Sequence, residues 1–251
     1  MDLQEVVDRI VAATPGVSWS IDVPGRASHE PGQRLRTASI GKLLLLAEVA
    51  RGFETGELDP GEVLSKDPAL AVADSGLWQH LAVHALPVAD LAVLIAAVSD
   101  NYATNVLLAR VGLPAVRRTA TALGLHETQL LDFVRNNRGP HHPPTLSTGA
   151  AGELAAFMHR INRRELLTPA VSERLDGWLA TSTDLSMVAS AFHDDPLAHT
   201  DSVRNKTGTD DGIRADVGYR GEQAYAVLAN FAPGDTSMVL HAMREIGTAL
   251  S

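Results

Sequence analysis

The chain has 251 residues, 45% of them hydrophobic and 20% charged, enough for a globular unit with a sizeable core. Lysine and arginine number 21 against 30 aspartates and glutamates, and the net charge of −9 argues against nucleic acid and anionic membrane as partners. The absence of cysteine excludes thiol catalysis, disulfide bonds and thiolate metal sites.

Leu3, Val6, Val7, Ile10 and Val11 fall at helical spacing and predict an amphipathic helix over 1–13. Asp2 and Glu5 stand where a secretory signal carries positive charge, so the sequence as it stands reads as cytoplasmic, or as periplasmic or secreted if a leader was trimmed. Val17, Trp19, Ile21 and Val23 alternate with polar residues, the pattern of a half-buried strand. Helices are expected over 39–49, 88–98, 104–111, 114–123, 147–161 and 169–180. The apolar run 91–98 is far shorter than the roughly 18 residues that span a bilayer. Residues 135–145 (RNNRGPHHPPT) read as a surface loop. Residues 216–221 and 223–231 form a hairpin turning near Gly221-Glu222, and a closing helix covers 235–250. The expected architecture is α/β (α+β): an antiparallel sheet built from both chain ends, with an all-helical lobe inserted. The lobes are 1–36 with 196–251, and 37–195.

Three short strings carry reactive groups. In Ser39-Ile40-Gly41-Lys42, residues three apart share a helix face, so the Lys42 amine can reach the Ser39 hydroxyl. Serine is a weak nucleophile without a base, and lysine becomes one only when burial or a second cation lowers its pKa. The same residues also fit a serine N-cap followed by a snorkelling lysine. Ser99-Asp100-Asn101 follows an apolar helix. Its hydroxyl can relay a proton and its amide can donate and accept, or the string is a helix stop with an Asx turn. Lys206-Thr207-Gly208 precedes the last hairpin. A lysine and a hydroxyl at a strand edge make an anion cradle, glycine lets a ligand approach the backbone, and Thr209 offers a further N–H; the alternative is an exposed cation before a turn. All three strings in this order arise by chance on the order of once in 10⁴ chains.

With these motifs and the 60-residue interval between Ser39 and Ser99, the sequence resembles the class A β-lactamase and penicillin-binding serine hydrolase superfamily over nearly its whole length. The resemblance implies an active site between a sheet made by both chain ends and a helical lobe. It implies Ser39 as acylated nucleophile, Lys42 as its base or proton relay, and Ser99 as proton donor to the leaving nitrogen. Asn101 would hold the substrate's side-chain amide and touch Lys42, with Asp100 structural. Lys206 and Thr207, beside Gly208, would bind the substrate carboxylate and help keep Lys42 neutral. The N–H groups of Ser39 and Thr209 would form an oxyanion hole, and Arg214 would contact the carboxylate; Arg214 and Asp216 could equally form a surface ion pair. Trp78 would lie at the cleft mouth or in the core.

One element of the family pattern is missing. Relatives that hydrolyse antibiotics quickly carry a loop glutamate, in an E-x-x-x-N context, that activates the deacylating water. Aligning Leu131-Asp132 with the Leu-Asp usual before it puts Arg135 in the glutamate's place, and no such string occurs over 127–145. A guanidinium is no general base at neutral pH. Glu127, Asp132, His141 and His142 are the nearby substitutes, each also readable as surface charge or loop. His80 and His84 are four apart as a metal pair would be, without a third ligand. His193-Asp194-Asp195 reads as a polar turn before Pro196.

The sequence therefore predicts an acyl-enzyme-forming serine hydrolase acting on β-lactams or related carboxylate-bearing amides and esters. A D-alanyl-D-alanine peptidase or small esterase is a second possibility, and a penicillin-binding or sensor module that acylates without turnover a third. No metal or cofactor is expected, the partner is a small molecule, and the chain is a monomer or weak homodimer.

Overall fold

The computed structural model describes residues 2–194 and 202–251. The expected lobe boundary at 195/196, and Asp195, Pro196 and Asp201, lie outside them. Helix α1 (Leu3–Ala13) leads into strands β1 (Ser18–Val23) and β2 (Ala27–His29). After β3 (Leu35–Arg36), a 3₁₀ turn (Ala38–Gly41) opens α2 (Lys42–Thr55). A small hairpin, β4 (Val63–Ser65) and β5 (Ala85–Pro87), precedes α3 (Val88–Val98), α4 (Asn101–Val111) and α5 (Leu113–Ala122). Then come β6 (Gln129–Leu130), β7 (Ser147–Gly149), α6 (Ala151–Asn162) and α7 (Pro169–Leu179). The chain closes with β8 (Arg204–Asp210), β9 (Ile213–Arg220), β10 (Gln223–Asn230) and α8 (Thr236–Leu250).

The main sheet runs β2-β1-β10-β9-β8, antiparallel throughout, so the first strand pairs with the last hairpin (Ile21 opposite Val227) and β8 is left at an edge. Alternate residues of β10 enter two cores. Tyr225, Val227 and Ala229 meet α1 and α8, whereas Ala224, Ala226 and Leu228 face the helical lobe. The sheet is thus covered on both faces, which corrects the expectation of a half-buried first strand. Ser20 is fully buried; its hydroxyl donates to Glu30 O at 3.0 Å and accepts from Ala151 N at 3.1 Å, at the start of α6. Two hydrogen bonds offset the cost of burying that hydroxyl.

Helix α2 is the axis of the helical lobe. Leu43 to Ala47, Val49 and Ala50 are all buried, as expected of a helix packed on nearly every side, and the buried Glu48 among them is paired with Arg51. The helix expected over 39–49 opens as the 3₁₀ turn and runs on to Thr55, and two other helix starts move. The segment expected as one helix over 147–161 begins as β7, because Ser147–Gly149 bridges β3 and β6 in a second small sheet too short to show a period. Helix α4 starts at Asn101 rather than 104, because the Asp100 carboxylate caps it, accepting from Ala103 N at 2.9 Å.

Candidate active site

The edge strand β8, the turn before α2, the α3–α4 junction and the loop after β6 surround a cavity of about 530 Å³. Ser39, Ser99, Asn101, Lys206, Thr207, Thr209 and Arg214 all line it. Three segments far apart in sequence are brought together by local backbone devices.

Ser39 sits in the 3₁₀ turn after Ala38, whose φ of +48° is uncommon for a residue with a side chain. That turn is braced from β7. Ser147 Oγ donates to Ala38 O at 2.6 Å, Thr37 N donates to Ser147 O at 3.1 Å, and the two hydroxyls of Thr37 and Ser147 are 2.8 Å apart. Sequence reasoning missed both Thr37 and Ser147, and no local signal marks them. On the other side β8 presses directly on the turn: a Cβ at Gly208 would lie 2.2 Å from Thr37 O. Gly208→Ala should therefore push β8 off the turn at a cost of about 1–3 kcal/mol. A lower melting temperature together with slower covalent labelling by a penicillin is the expected result; unchanged labelling would show that the strand need not approach so closely.

Ser99 ends α3 in the left-handed region (φ 54°), which turns the chain sharply enough to present both Ser99 and Asn101 to the cavity. Asp100 points the opposite way. Its carboxylate, nearly inaccessible, accepts from Leu77 N (2.7 Å), Trp78 N (2.8 Å) and Ala103 N, tying the 74–78 segment to α4. Gly76 is the position that makes room, since a Cβ there would lie 2.5 Å from that carboxylate. Trp78 is fully buried against Tyr102, with ring centroids 5.2 Å apart, and does not reach the cavity.

The two lysines meet at Ser99. Lys42 Nζ donates to Ser99 O at 2.6 Å and Asn101 Oδ1 at 2.7 Å, and lies 3.1 Å from Ser99 Oγ. Lys206 Nζ lies 3.0 Å from the same Oγ and donates to Thr207 O at 2.9 Å. The hydrogen bond expected between Lys42 and Ser39 is not formed: the Ser39 hydroxyl has no partner among the described residues, because the amine is engaged by the 99–101 segment. Both lysines are buried. Burial first, and the Lys206 charge second, hold the Lys42 amine well below its usual pKa, although Asp100 opposes this. Burial also lowers Lys206, to about 8, against the pull of Asp184 and Asp216. Lys42 is thereby disposed to be the neutral amine and Lys206 the cation.

Two acids packed against β8 were missed as site components, and one of them, Asp184, also lines the cavity. Asp184 Oδ2 accepts from Thr207 Oγ1 at 2.6 Å; burial would raise its pKa, but hydrogen bonds from Ser186 and Thr207 and the Lys206 charge hold it below the ordinary value. Asp216 forms no pair with Arg214. It is buried in the sheet, accepting from Asn205 Nδ2, Ala189 N and Tyr225 OH, and burial pushes it up to about 6. Arg214 instead donates to Asp210 O and Ile213 O, with its guanidinium 6.0 Å from the Phe231 ring centroid.

None of the four carboxyl and imidazole groups expected as substitutes for the missing loop glutamate lines the cavity. Asp132 is captured: Arg135 Nε and Nη2 donate to it at 2.7 and 2.9 Å, and Arg138 Nη1 at 2.7 Å. Burial would raise its pKa, but these bonds and one from Phe133 N–H hold it below the carboxylate range. Glu127 pairs with Arg34 at 3.4 Å, and His142 Nδ1 accepts from Gly139 N at 3.0 Å. Arg135 does line the cavity, as does Arg138. His80 and His84 lie in an exposed stretch away from it, and Asp194 anchors Arg220 and Val203 N.

An antiparallel sheet made by both chain ends, an inserted helical lobe and a polar cavity at the sheet edge define the β-lactamase/transpeptidase-like fold. The chain belongs to the β-lactamase enzyme family, whose pattern it matches over residues 2–251. It is similar to the solved structure of a β-lactamase from Sphaerobacter thermophilus DSM 20745 (TM-score 0.86, 24% identity, covering 100% of this chain and 96% of that one). It is similar also to PBP-A (0.84, 20%, 100% and 94%) and to an ancestral class A β-lactamase (0.83, 21%, 99% and 98%). At these identities the likeness is one of fold. No curated protein matches the chain. Among the described residues, no helix is long and apolar enough to cross a membrane.

Proposed function

We propose that the protein is a serine hydrolase that takes an acyl group from β-lactams, or from related amides and esters bearing a carboxylate, onto Ser39, and releases it slowly. The observation that carries this reading is the Lys42–Ser99–Lys206 cluster beside Ser39. A hydroxyl 3.1 Å from one buried amine and 3.0 Å from another makes a short proton path. In acylation, Ser39 Oγ bonds to the substrate carbonyl carbon and its proton passes to the neutral Lys42 amine. As the C–N bond breaks, Ser99 gives its proton to the leaving nitrogen and is reprotonated from Lys42, so the cluster ends as it began. Lys206, Thr207 and Arg214 hold the carboxylate, and the N–H groups of Ser39 and Thr209 stabilise the oxyanion, a contribution of about 3–4 kcal/mol per donor in well-studied cases.

Slow release is supported by the loop after β6. Its one carboxylate is spent on two arginines, which leaves that loop without a free carboxylate to activate the deacylating water. A variant of PBP-A, similar in fold (TM-score 0.81, 21% identity), is described as an acyl-enzyme complex with penicillin G, which is consistent with an adduct that persists. Mixing the protein with a chromogenic cephalosporin while following colour and intact mass tests both halves. A burst of one equivalent with a stable mass increase on Ser39 is expected. Sustained fast colour release would overturn slow deacylation, and the absence of both colour and adduct would overturn acylation by β-lactams and leave related amides and esters as the substrates.

A further inference from the structure

The cavity carries cationic groups at two separate ends. One end is the Lys206–Thr207–Arg214 wall on β8 and β9. The other is the loop carrying Arg135 and Arg138. That loop leans on the segments that hold Asn101: Asn136 Oδ1 accepts from Ala73 N at 2.8 Å, while Asn101 Nδ2 donates to Ala73 O at 3.1 Å. In the acylation proposed above, Lys206, Thr207 and Arg214 hold the carboxylate on the leaving side, which leaves the acyl side chain toward Asn101. The arginine end thus adjoins the acyl side.

The two guanidiniums are built in. The Asp132 side chain is only 7% exposed, and it fixes both Arg135 (33%) and Arg138 (21%). Arg138 is tied further, donating to Pro143 O at 3.1 Å and Phe133 O at 3.3 Å. Two cations share one carboxylate, so a positive charge is left over. Arg135 Nη1 has no partner among the described residues, since only its Nε and Nη2 are used on Asp132. A planar donor held in place by a buried carboxylate loses little freedom on binding an oxyanion, which suits it to recognising one.

We infer that this wall is a subsite for a second anionic group, so that the preferred substrate carries an acidic substituent on its acyl side besides the carboxylate held by Lys206 and Thr207. This rests on the acylation of Ser39 proposed above. Asp74, Asp184, Asp210 and Asp211 also line the cavity and would favour a cation instead, so the test sets the two charges against each other.

Benzylpenicillin, its α-carboxy derivative and its α-amino derivative differ by one charged substituent on the acyl side. Second-order rate constants for labelling the native chain, read by intact mass, should favour the α-carboxy compound over benzylpenicillin by about tenfold at low salt, less at high salt. In Arg135→Gln the ratio of the two constants should fall toward unity; taking the ratio within one preparation cancels any loss of active protein. Arg138→Gln, which leaves Asp132 paired with Arg135, should lower it in the same direction. A native ratio at or below one, a ratio unmoved in both variants, or a preference for the α-amino compound would overturn the subsite. Failure of all three compounds to label the native chain would overturn β-lactam acylation of Ser39, and the subsite argued from it.

Discussion

Ser39→Ala is expected to abolish the covalent adduct with any penicillin and to lower the rate of colour release from a chromogenic cephalosporin by roughly 10³-fold or more. No other cavity hydroxyl belongs to the turn that carries Ser39: the Ser99 hydroxyl is held between two amines, that of Thr207 is bonded to Asp184, and the chain has no thiol. The fold should survive, because the Ser39 hydroxyl makes no hydrogen bond that the turn depends on; the bracing bonds belong to Thr37, Ala38 and Ser147. The expected pair of results is an unchanged thermal melt and an unchanged mass after incubation. Persistence of a one-to-one adduct in this variant would assign the nucleophile elsewhere.

Lys42→Ala is expected to slow acylation by about 10²–10⁴-fold, the range usual for a general base, and to change the pH profile as well as the rate. In the native protein, acylation needs Lys42 without its proton and Lys206 with one. Lys42 titrates well below the ordinary lysine range, so the rate rises with pH as it deprotonates. Lys206 titrates at about 8, so the rate falls again as pH passes through that value and the carboxylate loses its cation. The profile is bell-shaped, with its alkaline limb near pH 8. Removing Lys42 should erase the acid limb and leave the alkaline one in place. A merely structural Lys42 would instead lower the rate equally at every pH. The melt gives a second check, because Ser99 O and Asn101 Oδ1 lose a donor in a buried site, a penalty of about 1–3 kcal/mol each when no water replaces it.

The sequence alone determined the reactive strings, the layout of the fold and the absence of a loop glutamate. Ser39 with Lys42, Ser99 with Asn101, and Lys206 with Thr207 are each local patterns. The first helix, the last hairpin turning at Gly221-Glu222 and the closing helix announce themselves by apolar spacing, because a face buried against one core must repeat with the period of its element. Tertiary structure alone decided what those residues touch. That Lys42 engages Ser99 and Asn101 rather than Ser39, that Ser147 braces the nucleophile turn across 109 residues, and that Asp132 is captured by Arg135 and Arg138 are features no period records. The same holds for β7, read as the start of a helix. Three residues are too few to show alternation, and they become a strand only because β3 and β6 arrive on either side to take their backbone hydrogen bonds. A hydrogen bond between distant side chains depends on where the whole chain brings them, and that placement is set by packing both faces of the sheet at once.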